Sequence, residues 1–249
     1  MRPCSVIRLP RHWTDPPLLS FIVPAHNEEA FIRDTLRAID AAARDSGRRF
    51  EIVVVDDAST DRTAAVAAAQ GARIVGADVR QIAAVRNIGA RAAAGDVLFF
   101  VDADTIVSAG VVRAALAQLE AGAVGGGASP VFEPDTPRWA HVTIDFTVWF
   151  MRTLGWAAGC FIFARRDAFE RAGGFDERYF ASEEIHLSRA LKRVGRFVIL
   201  RERVITSGRK ARAFSATHAL WLAIRMLRPG ALKQRDRLEF WYSKKGTDR

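Results

Sequence analysis

The first half of the chain alternates between two hydrophobic periods. Residues 18–25, "LLSFIVPA", are an apolar run stopped by Pro24, which predicts a buried strand. From Glu28 to about Ala43 the period becomes helical, with Phe31, Ile32, Leu36 and Ile39 on one stripe and Gly47 closing it. "FEIVVVDD" (50–57) predicts a second buried strand. "STDRTAAVAAAQ" (59–70) opens on capping residues and continues alanine-rich, so a helix is expected. A short strand at 72–76, a helix at 82–95, a strand at 96–104 and a helix at about 109–120 follow. Strands that are apolar throughout, alternating with helices, predict a parallel sheet covered on both faces.

After residue 122 the rhythm changes. "VGGGASPVF" (124–132) predicts a strand with glycine-permitted bends, and the aromatic-rich 137–154 a helix. A strand is expected at 157–166, a turn-rich loop at 170–184, a helix at 182–195 with Ser182 as N-cap, and a last strand at 196–207. There is no internal repeat and no low-complexity linker. The pattern predicts one domain over 18–207, divided into an α/β half (18–122) and a mixed half (123–207), followed by a basic amphipathic segment (208–249).

Ligands of such sheets bind beyond the carboxyl ends of the strands, and the carboxylates cluster there. Glu28 follows the first strand, Asp56 and Asp57 end the second, and Asp102 and Asp104 end the fourth. In "VLFFVDADT" the two aspartates stand two apart, so extended backbone would point both the same way. Two like charges on one face need something to hold, and hard oxygen ligands suit Mg²⁺ or Mn²⁺ with phosphate oxygens completing the shell. The plain alternative is an Asx-type turn after a strand. No glycine follows the first strand, "VPAHNEEAF", which argues against a dinucleotide-binding dehydrogenase. Cys160 is expected mid-strand as a small core residue, and His26 and His186 as structural side chains.

Charge changes the picture at the other end. From Arg189 onward the chain carries 17 basic and 4 acidic side chains, a net of +13, whereas the preceding residues sum to −4. Such asymmetry suits a polyanionic surface, membrane or nucleic acid, or else reflects solvated helix faces. Residues 212–235 combine Phe214, Leu220, Trp221, Ile224, Met226 and Leu227 with five basic residues, an amphipathic pattern too short to cross a bilayer. It suits either the membrane interface or the covering of the sheet. Two cysteines far apart fit a reducing compartment, and no apolar leader is evident.

Four stretches occur together, in order: "FIVPAHNEEAFIRDTLRAI", "EIVVVDDASTDRT", "VRNIGARAAAGDVLFFVDADT" and "GGFDERYFASEEIHLSRAL". Together they resemble the family 2 glycosyltransferases, which have a GT-A fold, over about residues 18–207. The resemblance implies inverting transfer of a sugar from a nucleotide diphosphate donor to an acceptor hydroxyl or phosphate. It implies that Pro24, Ala25 and Glu28 line the donor's base and ribose pocket and that Asp57 contacts the base. Arg86 would lie near the nucleotide. Asp102 and Asp104 match the D-x-D element, with Asp104 the more direct ligand of Mg²⁺ or Mn²⁺. Glu183 and Glu184 stand where the family usually has Glu-Asp, so Glu184 would be the general base, one methylene longer than usual. Arg209 would bind the diphosphate, in a stretch where some members place a histidine. On this reading an anionic membrane surface, not nucleic acid, is the expected partner, and the location is cytoplasmic or peripheral on the inner face of the cytoplasmic membrane. Polyprenyl phosphate, a lipid-linked glycan, a protein and a small metabolite are all open as acceptors.

Two other readings stand beside it. "VDADT" also fits a haloacid-dehalogenase-type phosphohydrolase, but that motif belongs on a first strand and here follows the fourth. A nucleotide-binding membrane adaptor that has lost its base is the other, and the Glu-Glu departure keeps it open.

Overall fold

The structure, a computed structural model, describes residues 16–209 except 135 and 181. Its elements run β1 (Leu19–Ala25), α1 (Ile32–Asp45), β2 (Phe50–Asp57), α2 (Thr63–Ala69), β3 (Arg73–Ala77), α3 (Ile82–Ala92), β4 (Val97–Val101) and β5 (Thr105–Ile106). Then follow α4 (Ala109–Glu120), β6 (Gly125–Phe132), α5 (Arg138–Leu154), β7 (Phe161–Arg165), α6 (Arg166–Arg171), α7 (Glu183–Val194) and β8 (Phe197–Thr206). All eight strands form one sheet in the order β3-β2-β1-β4-β7-β6-β8-β5. The β3-β2-β1-β4 half is parallel, as the unbroken apolar runs predict. β7 runs antiparallel between β4 and β6, and β8 returns parallel to β6, so the second half is mixed.

Both faces are sealed by apolar side chains. Phe21, Phe99, Phe161 and Phe163 form one aromatic row under α1 and α4, with Phe21 and Phe99 stacked at 4.7 Å. Ile22, Phe100, Phe169 and Phe175 form the other, under α3 and α6, where Phe100 meets Phe175 edge-on at 4.9 Å. α3 comes so close to β1 that a Cβ on Gly89 would collide with the Ile22 side chain. This proximity positions Arg86, one turn earlier on α3, under the carboxyl ends of β1 and β4.

Several boundaries differ from the sequence pattern. α1 starts at Ile32 rather than Glu28, because residues 26–31 tie to the loop after β2. α2 starts at Thr63 rather than 59 for the same reason. The fourth strand ends at Val101, and 102–104 form a turn closed by Thr105 N–H donating to the Asp102 carbonyl (3.1 Å). Asp102 and Asp104 are therefore not on one extended face. β7 is only five residues long, and α6 follows where part of a strand and loop was expected. Cys160 precedes β7 instead of lying within it. Burial and the nearby Asp102 and Asp104 charges push its thiol well up, so it is protonated. The amphipathic segment 212–235 lies outside the described residues.

Candidate active site

The loops after β1 and β2 are stitched together. Asn27, in left-handed conformation (φ 54°), donates its N–H to Ser59 Oγ (3.0 Å) and accepts from the Thr60 N–H through Oδ1 (2.8 Å). Glu28 N–H donates to Thr63 Oγ1 (2.7 Å), and Asp61 accepts from the N–H groups of Thr63 and Glu29. Ser59 is thus spent on the first loop and does not cap α2, whose N-cap is Arg62, while Asp61 serves both the loop and the start of α2. Pro24 and Ala25 are buried at the end of β1, in register with Val55 and Asp56. Asp57 is buried and accepts from the N–H groups of Val79 (2.8 Å) and Arg80 (3.2 Å), so it shapes the loop entering α3. His26 donates from Nδ1 to the Asp57 carbonyl (2.7 Å) and faces the Arg80 guanidinium. Asp56, the other aspartate expected at the end of this strand, keeps a buried Oδ1 that has no hydrogen-bond partner.

Two arginines organise the acids. Arg86 is buried and donates to Asp102 Oδ1 (2.8 Å), Glu183 Oε1 (2.6 Å) and the Gly159 carbonyl (2.9 Å). Its guanidinium stacks over Phe175 at 5.2 Å. Burial works to lower its pKa, but the Asp102 and Glu183 carboxylates outweigh that and hold it raised. The neighbouring Asn87 donates to the Phe175 carbonyl and Glu177, and accepts from the Phe175 N–H (3.0 Å). The "RN" pair thus fastens α3 to the Gly173–Glu177 loop on one side and to both acid motifs on the other. Arg209 forms a two-pronged pair with Glu28 (2.8 and 3.0 Å) and lies 3.8 Å from Asp104. It stacks over Phe31 at 4.8 Å.

The turn carrying Asp102 and Asp104 is held from behind. Thr35 Oγ1 donates to the Ala103 carbonyl (2.8 Å), and the Asp104 carbonyl accepts from Ser207 N–H (3.2 Å). The side chains of Asp102 and Asp104 remain 35% and 18% exposed, so both carboxylates are open to a ligand. Among the described residues no three His, Cys, Asp or Glu side chains gather into an all-protein metal cage. Two accessible carboxylates, each already next to a guanidinium, fit a hard cation that completes its shell with diphosphate and water oxygens.

Glu183 and Glu184 open α7. Ser182 occupies the expected N-cap position, but in left-handed conformation (φ 63°) and without a capping side-chain bond, which corrects its expected role. Glu183 is buried against Arg86. Glu184 is half-buried and keeps some open surface. Burial, aided by the Glu183 charge, pushes its carboxyl up to about 8, against the helix dipole that favours the anion. A Cβ on Gly159 would sit 3.3 Å from the Arg86 guanidinium and 3.8 Å from the Glu184 carboxyl, so backbone closes one wall. Tyr179 stacks on His186 at 3.8 Å beyond the acid pair.

The fold brings Glu28, Asp102, Asp104, Arg86, Glu183, Glu184 and Arg209 to one rim of the sheet, linked by these contacts. Asp57 stands beside them through the loop it shapes.

Comparison with known proteins places the fold and the family. Over 95 residues the chain is 41% identical to the undecaprenyl-phosphate 4-deoxy-4-formamido-L-arabinose transferase of Pseudomonas paraeruginosa, covering 35% of this chain and 28% of that protein. It therefore spans under a third of the length of that relative. Among solved structures it is similar to a mannosyltransferase of Pyrobaculum calidifontis in complex with GDP-Man and Mn²⁺ (TM-score 0.61, 22% identity, covering 85% of this chain and 65% of that one). It is also similar to S. aureus TarS residues 1–349 in complex with UDP-GlcNAc (TM-score 0.60, 15% identity, covering 90% and 70%). Both likenesses are of fold, the GT-A fold. The model described as glycosyl transferase family 2 matches residues 20–173, more than half of the chain. The chain belongs to glycosyl transferase family 2.

Proposed function

We propose that this protein transfers a sugar, with inversion, from a nucleotide diphosphate donor to an oxygen of a lipid-linked acceptor, and that Glu184 is its general base. The observation that carries this is the division of labour in the acid pair. Glu183 is consumed by Arg86, whereas Glu184 is unpaired in the salt-bridge network, partly open and shifted toward neutral pH. A base poised near the working pH is what proton removal from a hydroxyl needs. Inversion requires the acceptor oxygen to attack the anomeric carbon opposite the departing diphosphate. Its proton passes to Glu184, and the C–O bond to the diphosphate breaks. Asp104 and Asp102 would hold Mg²⁺ or Mn²⁺, which when bound offsets charge on the departing diphosphate. Asp57 and the residues around Pro24, Ala25 and Glu28 would flank the base and ribose. Arg209 would exchange its Glu28 contact for the diphosphate.

The named relative, an undecaprenyl-phosphate transferase, supports a lipid-linked acceptor. An anionic membrane surface at the cytoplasmic leaflet is the matching location. Glu184→Gln tests the base. It should preserve donor binding by calorimetry and lower transfer by about a hundredfold or more, with Glu183→Gln doing less. Full transfer by Glu184→Gln would mean that the attacking oxygen needs no base, as an already ionised lipid phosphate would not.

A further inference from the structure

α5 is apolar on two faces. Val148 faces inward and is buried. On the opposite side Val142, Phe146 and Trp149 are 70%, 66% and 60% exposed, and Phe150 and Leu154 continue the stripe. Five of the seven large apolar side chains exposed among the described residues lie on this one helix, so the patch is a feature and not scatter. The i, i+4, i+7, i+8 spacing makes it a single face, and Phe146 packs against Trp149 at 5.9 Å. An apolar face of this size, turned away from the core, marks a contact surface.

We infer that this face of α5 is a lipid-docking surface, seated in the interfacial zone of an anionic membrane. Two observations select lipid over other occupants. Trp149 on an exposed helix suits the headgroup boundary, where its indole buries while the N–H stays wet, and Phe146 and Phe150 add apolar area beside it. The charge next to the helix is balanced, with Arg201 and Arg203 of β8 offset by Glu202 and by Asp145, which lies 3.8 Å from Arg203, so basic charge comes from the chain beyond. The chain leaves the described structure at Arg209, with Gly208 packed against Thr136 just ahead of α5, and its last 40 residues carry 10 basic and 3 acidic side chains. That charge complements anionic headgroups and opposes a second copy of the same surface. The loop after α5 also ends at Gly159, whose carbonyl binds Arg86 beside Glu184, so a docked α5 would set the acceptor side of the site toward the lipid. This rests on the lipid-linked acceptor proposed above and names the surface that meets it.

The experiment is flotation of the full chain with phosphatidylglycerol-containing or purely phosphatidylcholine vesicles, alongside quenching of tryptophan by brominated lipid. The wild type should float with anionic vesicles and be quenched, Trp149→Phe should lose part of that quenching, and the Phe146→Ser/Trp149→Ser/Phe150→Ser variant should bind about tenfold more weakly or less. Donor binding by the triple variant, measured by calorimetry, shows that it remains folded. Equal flotation of wild type and triple variant, or no quenching assignable to Trp149, overturns the proposal. So does a wild-type dimer that becomes monomeric in the variant without lipid, because the face would then belong to a second copy. Flotation is scored without donor or acceptor. Transfer to a polyprenyl phosphate in detergent needs no bilayer. The surface and the acceptor can therefore fail separately.

Discussion

At the scale of single residues, function and stability meet in Arg86. Removing its charge leaves Asp102 and Glu183 facing each other without a cation, and Glu183 is buried. Arg86→Met should cost about 3–5 kcal/mol by thermal or urea unfolding, far more than loss of a surface pair such as Arg44–Asp40. Asp104→Asn should behave differently. Its carboxylate lies at the rim, so the fold should persist while Mn²⁺-dependent donor binding is largely lost, and equal donor affinity at saturating Mn²⁺ would refute its role. Glu184 gives a pH signature in both activity and stability. Activity that needs the anion should rise with pH through about 8. Its folded pKa is raised above the ordinary carboxylate value, so the folded state holds the extra proton across the window from about 4.5 to about 8. The resulting stability is fully present below that window and is lost as pH rises through it. Glu184→Gln should therefore match the wild type near pH 4 and exceed it near pH 8, by ~1–3 kcal/mol after allowance for its solvent access. Identical unfolding curves at pH 8 would mean that the carboxyl is not held protonated.

At the scale of elements, the sequence pattern was a good guide wherever a segment is buried on its own account. β1, β2 and β4 are apolar runs because the sheet is covered on both faces, and their order and type were legible. The losses came where distant groups decide. β5 is a two-residue strand that exists because Thr105 and Ile106 pair with β8 about a hundred residues later, and no local period records that. α1 and α2 both start late because Asn27, Glu28 and Glu29 share hydrogen bonds with residues 59–63, which local capping signals cannot register. In the site the same division holds. The acids were legible as types at strand and helix ends. Their partners were not, since Arg86 joins Asp102, 16 residues away, to Glu183, 97 residues away. The unpartnered oxygen of Asp56 was equally invisible, because pattern alone cannot say which of two adjacent aspartates is already satisfied. The contact between α3 and β1 carries its own test. Gly89→Ala should destabilise by about 1–3 kcal/mol, because a methyl there meets Ile22 and Val55 and forces the helix outward. A chemical-denaturation midpoint equal to that of the wild type would show that the helix shifts without cost.

At the scale of the whole molecule, the mildly acidic catalytic sheet and the basic C-terminal quarter sit at opposite ends of the charge scale, and the chain passes from one to the other close to the site. No helix among the described residues is long and apolar enough to cross a membrane. Sedimentation of the full chain and of a version ending at Ser207 with anionic vesicles should differ at low salt and converge at high salt. Arg209 lies at the junction. Its guanidinium pairs with Glu28 and lies 3.8 Å from Asp104, within reach of a diphosphate held at the rim. Donor entry and the position of the departing chain are then two ends of one lever. A diphosphate that takes Arg209 from Glu28 fixes the point where the chain departs, and whatever fixes that point holds Arg209 ready for the diphosphate. Such coupling is reciprocal by thermodynamic necessity, so donor affinity should be higher on anionic vesicles than in free solution, and donor should tighten vesicle binding by the same factor. The enzyme would then hold its sugar loosely until it has reached the surface where the sugar is to be spent.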